Sequence, residues 1–460
     1  MKKNRFIFIL LFVAGIVYGI FYFHIYNNFP DIANSFDHRY TDIGKYLAEE
    51  GRYAIRGDDG VLISTFQAPP LYPVLSAISF RILGDERSAY EMLRFIHIVM
   101  VLGIIYLTYR IGQLFSERIG RMASLFAALD FSMFYFANDY EMPDTTNAFF
   151  AILFTLFFLR FLKGEFSYRT IALSAFFLGL SIWTKTTLYV LWIPLSLFLL
   201  LFVRKGVIMK SRAKWCSVAI FAVIMMLFFG GWKVRNYHVI GFSEFSSQSG
   251  PVMLWAASAL KAYQNDLPFG EAQANLKAQY LTPDKRQLSE GALNVYLQEE
   301  AKKIIFASPI DYAITWARGI PGLMLGTFPP YILFSREVKD DVYAIIYEAQ
   351  GHRSVVDQLW EKGYKGYLFI YGLSKIHLFL IYGFSVVGIL ILLRRRSEWW
   401  VVAFMTIMVA YVLAVSSPAS HQRYRAVIMP IFYVLCGIGI TYVFDKLRGY
   451  RYATLMRGRW

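Results

Sequence analysis

Ten apolar runs dominate this chain, several of them shorter than the roughly 20 residues a helix needs to cross a bilayer, so their boundaries are loose. A segment in hydrocarbon must satisfy its own backbone amides, which a helix does. The runs read as spans at Phe6–Tyr26, Met92–Phe115, Met122–Ala137, Thr145–Leu162, Thr170–Trp183, Leu188–Val203, Trp215–Gly231, Gly372–Leu393, Trp399–Val415 and Val427–Phe444. Charged residues make up only 17% of the chain, against about 25% in soluble proteins. The first run follows a basic head, Lys2, Lys3 and Arg5, and is too long for a cleaved leader, so it reads as an uncleaved signal anchor. An all-α polytopic membrane protein follows.

The net charge of +15 does not point to nucleic acid, because the cations sit between spans and not on one soluble face. Arg110, Arg118, Arg121, Arg160, Lys163, Arg169, Arg204, Lys205, Arg394, Arg395 and Arg396 fall in alternate loops, and the tail adds Lys446 and Arg448. With ten spans these loops share one side, which the positive-inside rule makes cytoplasmic, with both termini. The opposite short loops hold few cations: none in Asn138–Asp144, Lys185 in the next, Arg423 and Arg425 in the last. That opposite, outer face carries two large segments, 27–91 and 232–371. The chain thus divides into an N-terminal membrane module (1–231), an outer segment (232–371) and a C-terminal membrane module with a basic tail (372–460). Within the outer segment Asp284–Ile305 reads as a helix. Pro309, Pro321, Pro329 and Pro330 argue against a straight span over Pro309–Phe334, which reads as short interfacial helices. Cys216 and Cys436 lie in spans as small buried hydrophobes, so no disulfide framework is expected.

Charge and aromatic rings gather at the outer face. Asp37, Arg39, Tyr40 and Asp42 follow the first span, and helical spacing makes Asp37, Tyr40 and Gly44 neighbours. Pro69, Pro70 and Pro73, with Tyr72 among them, stiffen the return to the membrane. Asp139, Glu141 and Asp144 occupy one short loop, and acids beside spans tend to be functional. Trp232, Lys233, Arg235 and Asn236 end the seventh span. His421, Arg423, Tyr424 and Arg425 precede the tenth. Guanidinium forks match phosphate oxygens, so the cations ask for a lipid-linked phosphate. Snorkelling cations and a water-facing loop are the plain alternatives.

These motifs, in this order, resemble the GT-C integral-membrane glycosyltransferases, nearest the protein O-mannosyltransferase and aminoarabinose transferase branch. The resemblance rests on Asp37-His-Arg-Tyr40 with Gly44 and Leu47, Pro69-Pro-Leu-Tyr-Pro73, Arg94, Met142-Pro-Asp144, Trp232-Lys-Val-Arg-Asn236 and Arg423-Tyr-Arg425. Where some relatives carry Glu-Lys before the double proline, this chain has Gln67-Ala68. The resemblance implies transfer of a sugar from a polyprenyl-phosphate donor to a protein, lipid or glycan acceptor at the outer face, with inversion. It makes Asp37 the general base, with Asp42 in reserve, and Glu141 and Asp144 the residues that orient the acceptor. Arg39, Tyr40, Arg235, Asn236, His421, Arg423 and Arg425 would hold the donor phosphate, on a scaffold of Pro69, Pro70, Tyr72, Arg94 and Trp232. A divalent metal, Mg or Mn, is the one cofactor these acids suit, held by Asp37, Glu141 and Asp144. The rival readings are a transporter or flippase of lipid-linked glycans, which predicts charged or broken spans near the midplane, and a glycan polymerase.

Overall fold

The computed structural model describes residues 5–28, 39–57, 60–138, 142–205, 211–327, 342, 352–419 and 421–447. Asp37 and Glu141 lie outside these residues. The helices are α1 (Arg5–Asn28), α2 (Arg39–Glu50), α3 (Leu71–Leu83), α4 (Glu86–Gln113), α5 (Glu117–Ala128), α6 (Phe131–Asn138), α7 (Asp144–Leu162), α8 (Tyr168–Thr184), α9 (Trp192–Lys205), α10 (Ser211–Ile240), α11 (Ser249–Asn265), α12 (Phe269–Tyr280), α13 (Pro283–Arg286), α14 (Glu290–Ala307), α15 (Pro309–Leu325), α16 (His352–Glu361), α17 (Lys365–Leu393), α18 (Trp399–Ser416) and α19 (Met429–Leu447). Every predicted span overlaps helix, although the third is interrupted. Seven helices, namely α1, α4, α7, α10, α17, α18 and α19, are long and apolar enough to cross a membrane among the described residues. The chain is a multi-pass membrane protein.

The third predicted span, Met122–Ala137, is two helices, broken at Leu129 and Asp130. Asp130 accepts from the amide of Ser132 at 2.8 Å through Oδ1 and from the Tyr433 hydroxyl through Oδ2, so its carboxylate serves the start of α6 and not a continuous helix. The two pieces still run the length of α4. At one end a methyl on Gly112 would come within 2.6 Å of the Gly120 Cα, and at the other Arg94 Nε donates to the Asn138 carbonyl at 3.2 Å. The seventh span is longer than predicted: α10 runs to Ile240, which places Trp232, Arg235 and Asn236 inside its last turns.

Two ion pairs, one of them buried, link the basic loops at one end of the bundle. Lys163, after α7, reaches Glu398, before α18, at 2.8 Å, and Arg118 of α5 reaches Asp445 of α19 at 2.5 Å. Between the ends the core is aromatic. Phe154, Phe158, Phe221 and Phe404 are fully buried, with Phe158 stacked on Phe404 at 4.5 Å. Edge and stacked ring pairs of this kind add about 0.5–1.5 kcal/mol beyond the area buried.

The opposite end carries the loop segments. The first holds α2, a two-stranded ribbon of β1 (Ala54–Arg56) and β2 (Leu62–Ser64), and α3. The ribbon is antiparallel, pairing Ile55 with Ile63, and strands of three residues leave no alternating pattern for a sequence to advertise. Pro70 leads directly into α3, and α2 lies against α3 so closely that a Cβ on Gly44 would sit 2.5 Å from Ser76. The second segment packs α11, α12 and α14 around their own core of Leu254, Ala257, Leu276, Leu297 and Ala301. The helix expected over Asp284–Ile305 is split into α13 and α14, with Ser289 capping α14. Pro309 opens α15, which tolerates Pro321 in its interior, and the rest of the expected stretch to Phe334 lies outside the described residues from 328 on.

Candidate active site

Asp144 is the first residue of α7, where the unpaired amides of a helix start favour an anion. It is 3% exposed. Lys185 follows α8 in extended conformation, and its Nζ donates to Asp144 Oδ1 at 2.6 Å while standing 4.9 Å from the centroid of the Tyr424 ring. Asp144 Oδ2 is buried and has no hydrogen-bond partner among the described residues. A bare carboxylate oxygen in such a place is costly unless something else comes to meet it.

The other wall is a short 3₁₀ segment, Gln422–Val427, between α18 and α19. Arg423 lies 5.3 Å from the centre of the Tyr424 ring, and its Nη1 approaches Met142 Sδ at 3.5 Å. Tyr424 therefore packs between two cations. Burial raises its phenol, but Arg423 and Lys185 outweigh burial and bring it below the usual tyrosine value. Burial, then Arg423 and Lys185, push the His421 imidazole down to about 3. His421 is therefore a neutral ring at neutral pH.

A stability consequence follows. The unfolded chain takes up a proton at His421 near pH 6.5 and the folded chain does not, so stability falls as pH drops below 6.5 toward 3. Between pH 6.5 and 5 the loss is about 2 kcal/mol. His421→Gln is expected to remove this part of the acid sensitivity, read as a flatter dependence of melting temperature on pH.

Of the residues predicted from sequence, Asp144, His421 and Arg423 come together. Arg425, two places on, goes elsewhere. It is 2% exposed and donates to the carbonyls of Leu323 at 3.3 Å, Met324 at 2.8 Å and Gly326, with Ser132 Oγ at 3.4 Å. It ties the end of α15 to the start of α6. Arg235 donates to the carbonyls of Thr65 at 2.8 Å and Tyr53 at 3.4 Å, with its guanidinium 5.0 Å from the Tyr53 and Trp232 ring centres. Asn236 Nδ2 bonds the Glu244 carbonyl at 2.8 Å and Trp232 Nε1 that of Phe245 at 2.9 Å. These three hold the first loop segment and the start of the second against α10.

Arg39 donates to Gln248, and Asp42 lies in the first turn of α2. Tyr40 meets Tyr72 edge-on at 5.9 Å. The Tyr53 hydroxyl donates to the carbonyls of Ala68 at 2.9 Å and Pro69 at 3.2 Å, which holds the Pro69-Pro70 turn. Arg94, besides reaching Asn138, pairs with Glu91 at 2.6 Å. Lys185 is the functional candidate that sequence reasoning passed over, while Tyr424 was seen in the Arg-Tyr-Arg cluster without a role. The available signal for Lys185 was its isolation, a lone cation in a loop on the cation-poor side.

Of the three residues expected to hold a divalent metal, only Asp144 is described, and one of its oxygens is taken by Lys185. Among the described residues no group of three His, Cys, Asp or Glu is placed to hold a metal ion. The described residues therefore do not make a Mg or Mn site, and no chemical step is routed through one.

Residues 67–232 match the family profile described as dolichyl-phosphate-mannose-protein mannosyltransferase. The fold is similar to that of the oligosaccharyltransferase AglB from Archaeoglobus fulgidus, solved with an inhibitory peptide and a dolichol-phosphate, at 15% identity and a TM-score of 0.50, covering 100% of this chain and 52% of that one. The oligosaccharyltransferase of the same organism tethered to an acceptor peptide gives 14% identity and a TM-score of 0.53, with the same coverage. ArnT from Cupriavidus metallidurans bound to undecaprenyl phosphate gives 14% identity and a TM-score of 0.40 over 97% of this chain and 79% of that one. No curated protein matches. The chain spans about half the length of the oligosaccharyltransferases it matches. The GT-C fold expected from the motifs is borne out.

Proposed function

We propose that this chain is a membrane glycosyltransferase that moves a sugar from a polyprenyl-phosphate donor to an acceptor, at the outer face of the membrane. The observation that carries this reading is the buried Asp144–Lys185 pair set against Tyr424, Arg423 and a neutral His421 at the loop end of the bundle. Two cations flank one aromatic ring in a site where burial strengthens every charge. That is what a phosphate leaving group needs as the bond from the anomeric carbon to its oxygen breaks and negative charge grows. The family profile and the dolichol-phosphate named for AglB support the same donor class.

Lys185 and Arg423 take the donor phosphate in this reading, which supplies the cation that Ala68 leaves missing before Pro69 and Pro70. Arg235 and Arg425 act as braces. The acceptor oxygen attacks the anomeric carbon, its proton goes to a carboxylate, and the polyprenyl phosphate departs, inverting the sugar. Asp37, two residues before α2, is the proposed base, and Asp144 Oδ2 orients the acceptor hydroxyl. The basic end of the bundle faces the cytoplasm, as the positive-inside rule asks.

The test is transfer by the purified protein from a panel of radiolabelled polyprenyl-phosphate sugars. Asp37→Asn is expected to lose at least about 100-fold in turnover while still binding donor. Unchanged turnover in that variant would discard the base assignment. Movement of a lipid-linked glycan across vesicles without any transfer would favour a flippase instead.

A further inference from the structure

His97 is a fully buried polar side chain to which the chemistry above assigns no part. It sits on α4 three residues beyond Arg94, on the same face of the helix. Its Nε2 lies 3.2 Å from the hydroxyl of Tyr72 and 3.4 Å from that of Thr146. The imidazole also stacks on the Tyr72 ring, with centroids 5.6 Å apart and planes 29° from parallel. Tyr72 and Thr146 are themselves 0% and 1% exposed.

The partners show what this arrangement joins. Tyr72 is the second residue of α3, just after Pro69 and Pro70, and meets Tyr40, the second residue of α2, edge-on at 5.9 Å. Thr146 is the third residue of α7, two after Asp144. One imidazole thus bridges the start of α3, which in turn touches α2, and the helix start that carries Asp144. The neighbouring contacts anchor the same junction: Thr145 Oγ1 donates to the Phe136 carbonyl at 2.7 Å, and Arg94 reaches the Asn138 carbonyl. An apolar side chain could fill the volume, but Tyr72 and Thr146 would each lose the hydrogen bond that ties their helices together.

We propose that His97 is a positioning residue that holds the start of α7, with Asp144, in fixed relation to the start of α3 and, through the Tyr72–Tyr40 contact, to α2. This rests on the transferase reading given above. Asp144 orients the acceptor hydroxyl in that reading, and a displacement near 1 Å can cost about 100-fold in rate. Lys185 and Arg423, the cations proposed for the phosphate, stand on other elements than α3 and α7, so the main loss is expected in kcat and not in donor KM.

The experiment compares His97→Phe, which keeps a ring of similar size, with His97→Gln, whose amide can still reach a hydroxyl. Both are made in the full-length protein and assayed with radiolabelled polyprenyl-phosphate mannose. Hydrogen exchange is followed over residues 67–73 and 142–148, and melting temperature is recorded. His97→Phe is expected to lower kcat at least about tenfold with donor KM within about twofold, and to speed exchange in both segments together. His97→Gln is expected to recover most of the kcat. Wild-type kcat and exchange in His97→Phe would overturn the proposal. So would a loss in kcat that tracks a fall in melting temperature and is not rescued by Gln, which is the signature of packing alone. If the wild-type protein transfers no sugar from any donor, the transferase reading fails; paired exchange in the two segments still decides whether His97 couples them.

Discussion

Lys185→Met is expected to cost this protein folding stability and turnover together, and a second substitution should separate the two losses. Lys185 and Asp144 are 9% and 3% exposed at the side chain and 2.6 Å apart. Removing the cation leaves a buried carboxylate with no partner, which costs about 3–5 kcal/mol. The melting temperature should drop accordingly. Asp144→Asn added to Lys185→Met removes the stranded charge and should restore most of that stability. Turnover should stay down by about 100-fold or more in the double variant, because the cation proposed to receive the donor phosphate is still missing. Recovery of activity along with stability would mean that the pair is a brace and not part of the site.

Arg423→Met and Arg425→Met are expected to fail in opposite ways, although one residue separates them. Arg425 is 2% exposed and serves the carbonyls of Leu323, Met324 and Gly326. Each carbonyl left without a donor in a buried place costs about 1–3 kcal/mol. Arg425→Met should therefore unfold readily in detergent and show little surviving protein in which to measure binding. Arg423 touches Met142 and the Tyr424 ring and holds no carbonyl among its described bonds. Arg423→Met should keep its melting temperature and raise the donor KM about tenfold or more. Equal melting temperatures for the two variants, or a donor defect confined to Arg425→Met, would reverse their roles.

The Arg-Tyr-Arg motif shows how far a sequence can carry a site. Its place before the last span, on the cation-poor side, was legible because spans and basic loops are local features. The division of labour inside it was not, because the carbonyls that claim Arg425 lie about a hundred residues earlier in the chain, at the end of α15. Arg235 repeats the lesson. It reads as a phosphate ligand in sequence, yet Tyr53 and Thr65 occupy its fork from far away in the chain. Lys185 is the converse: no motif surrounds it, and its role emerges only once α7 and α8 stand side by side. Met142-Pro-Asp144 was legible as a site because proline before an acid at a span's edge is a local pattern, and the structure sets it at a helix start. Asp130 was absorbed into an apolar run, where a single acid hardly lowers the hydropathy of its neighbours, and it breaks the third span in two.

The membrane class, the order of the apolar segments, and the gathering of charge in particular loops were settled by the order of residues, because transfer into hydrocarbon is scored over one contiguous stretch at a time. Which cation stands beside Asp144, which one braces a carbonyl, and which histidine joins two helix starts were settled by packing. A buried polar group takes whatever partner the fold delivers to it, and that partner can come from any point in the chain.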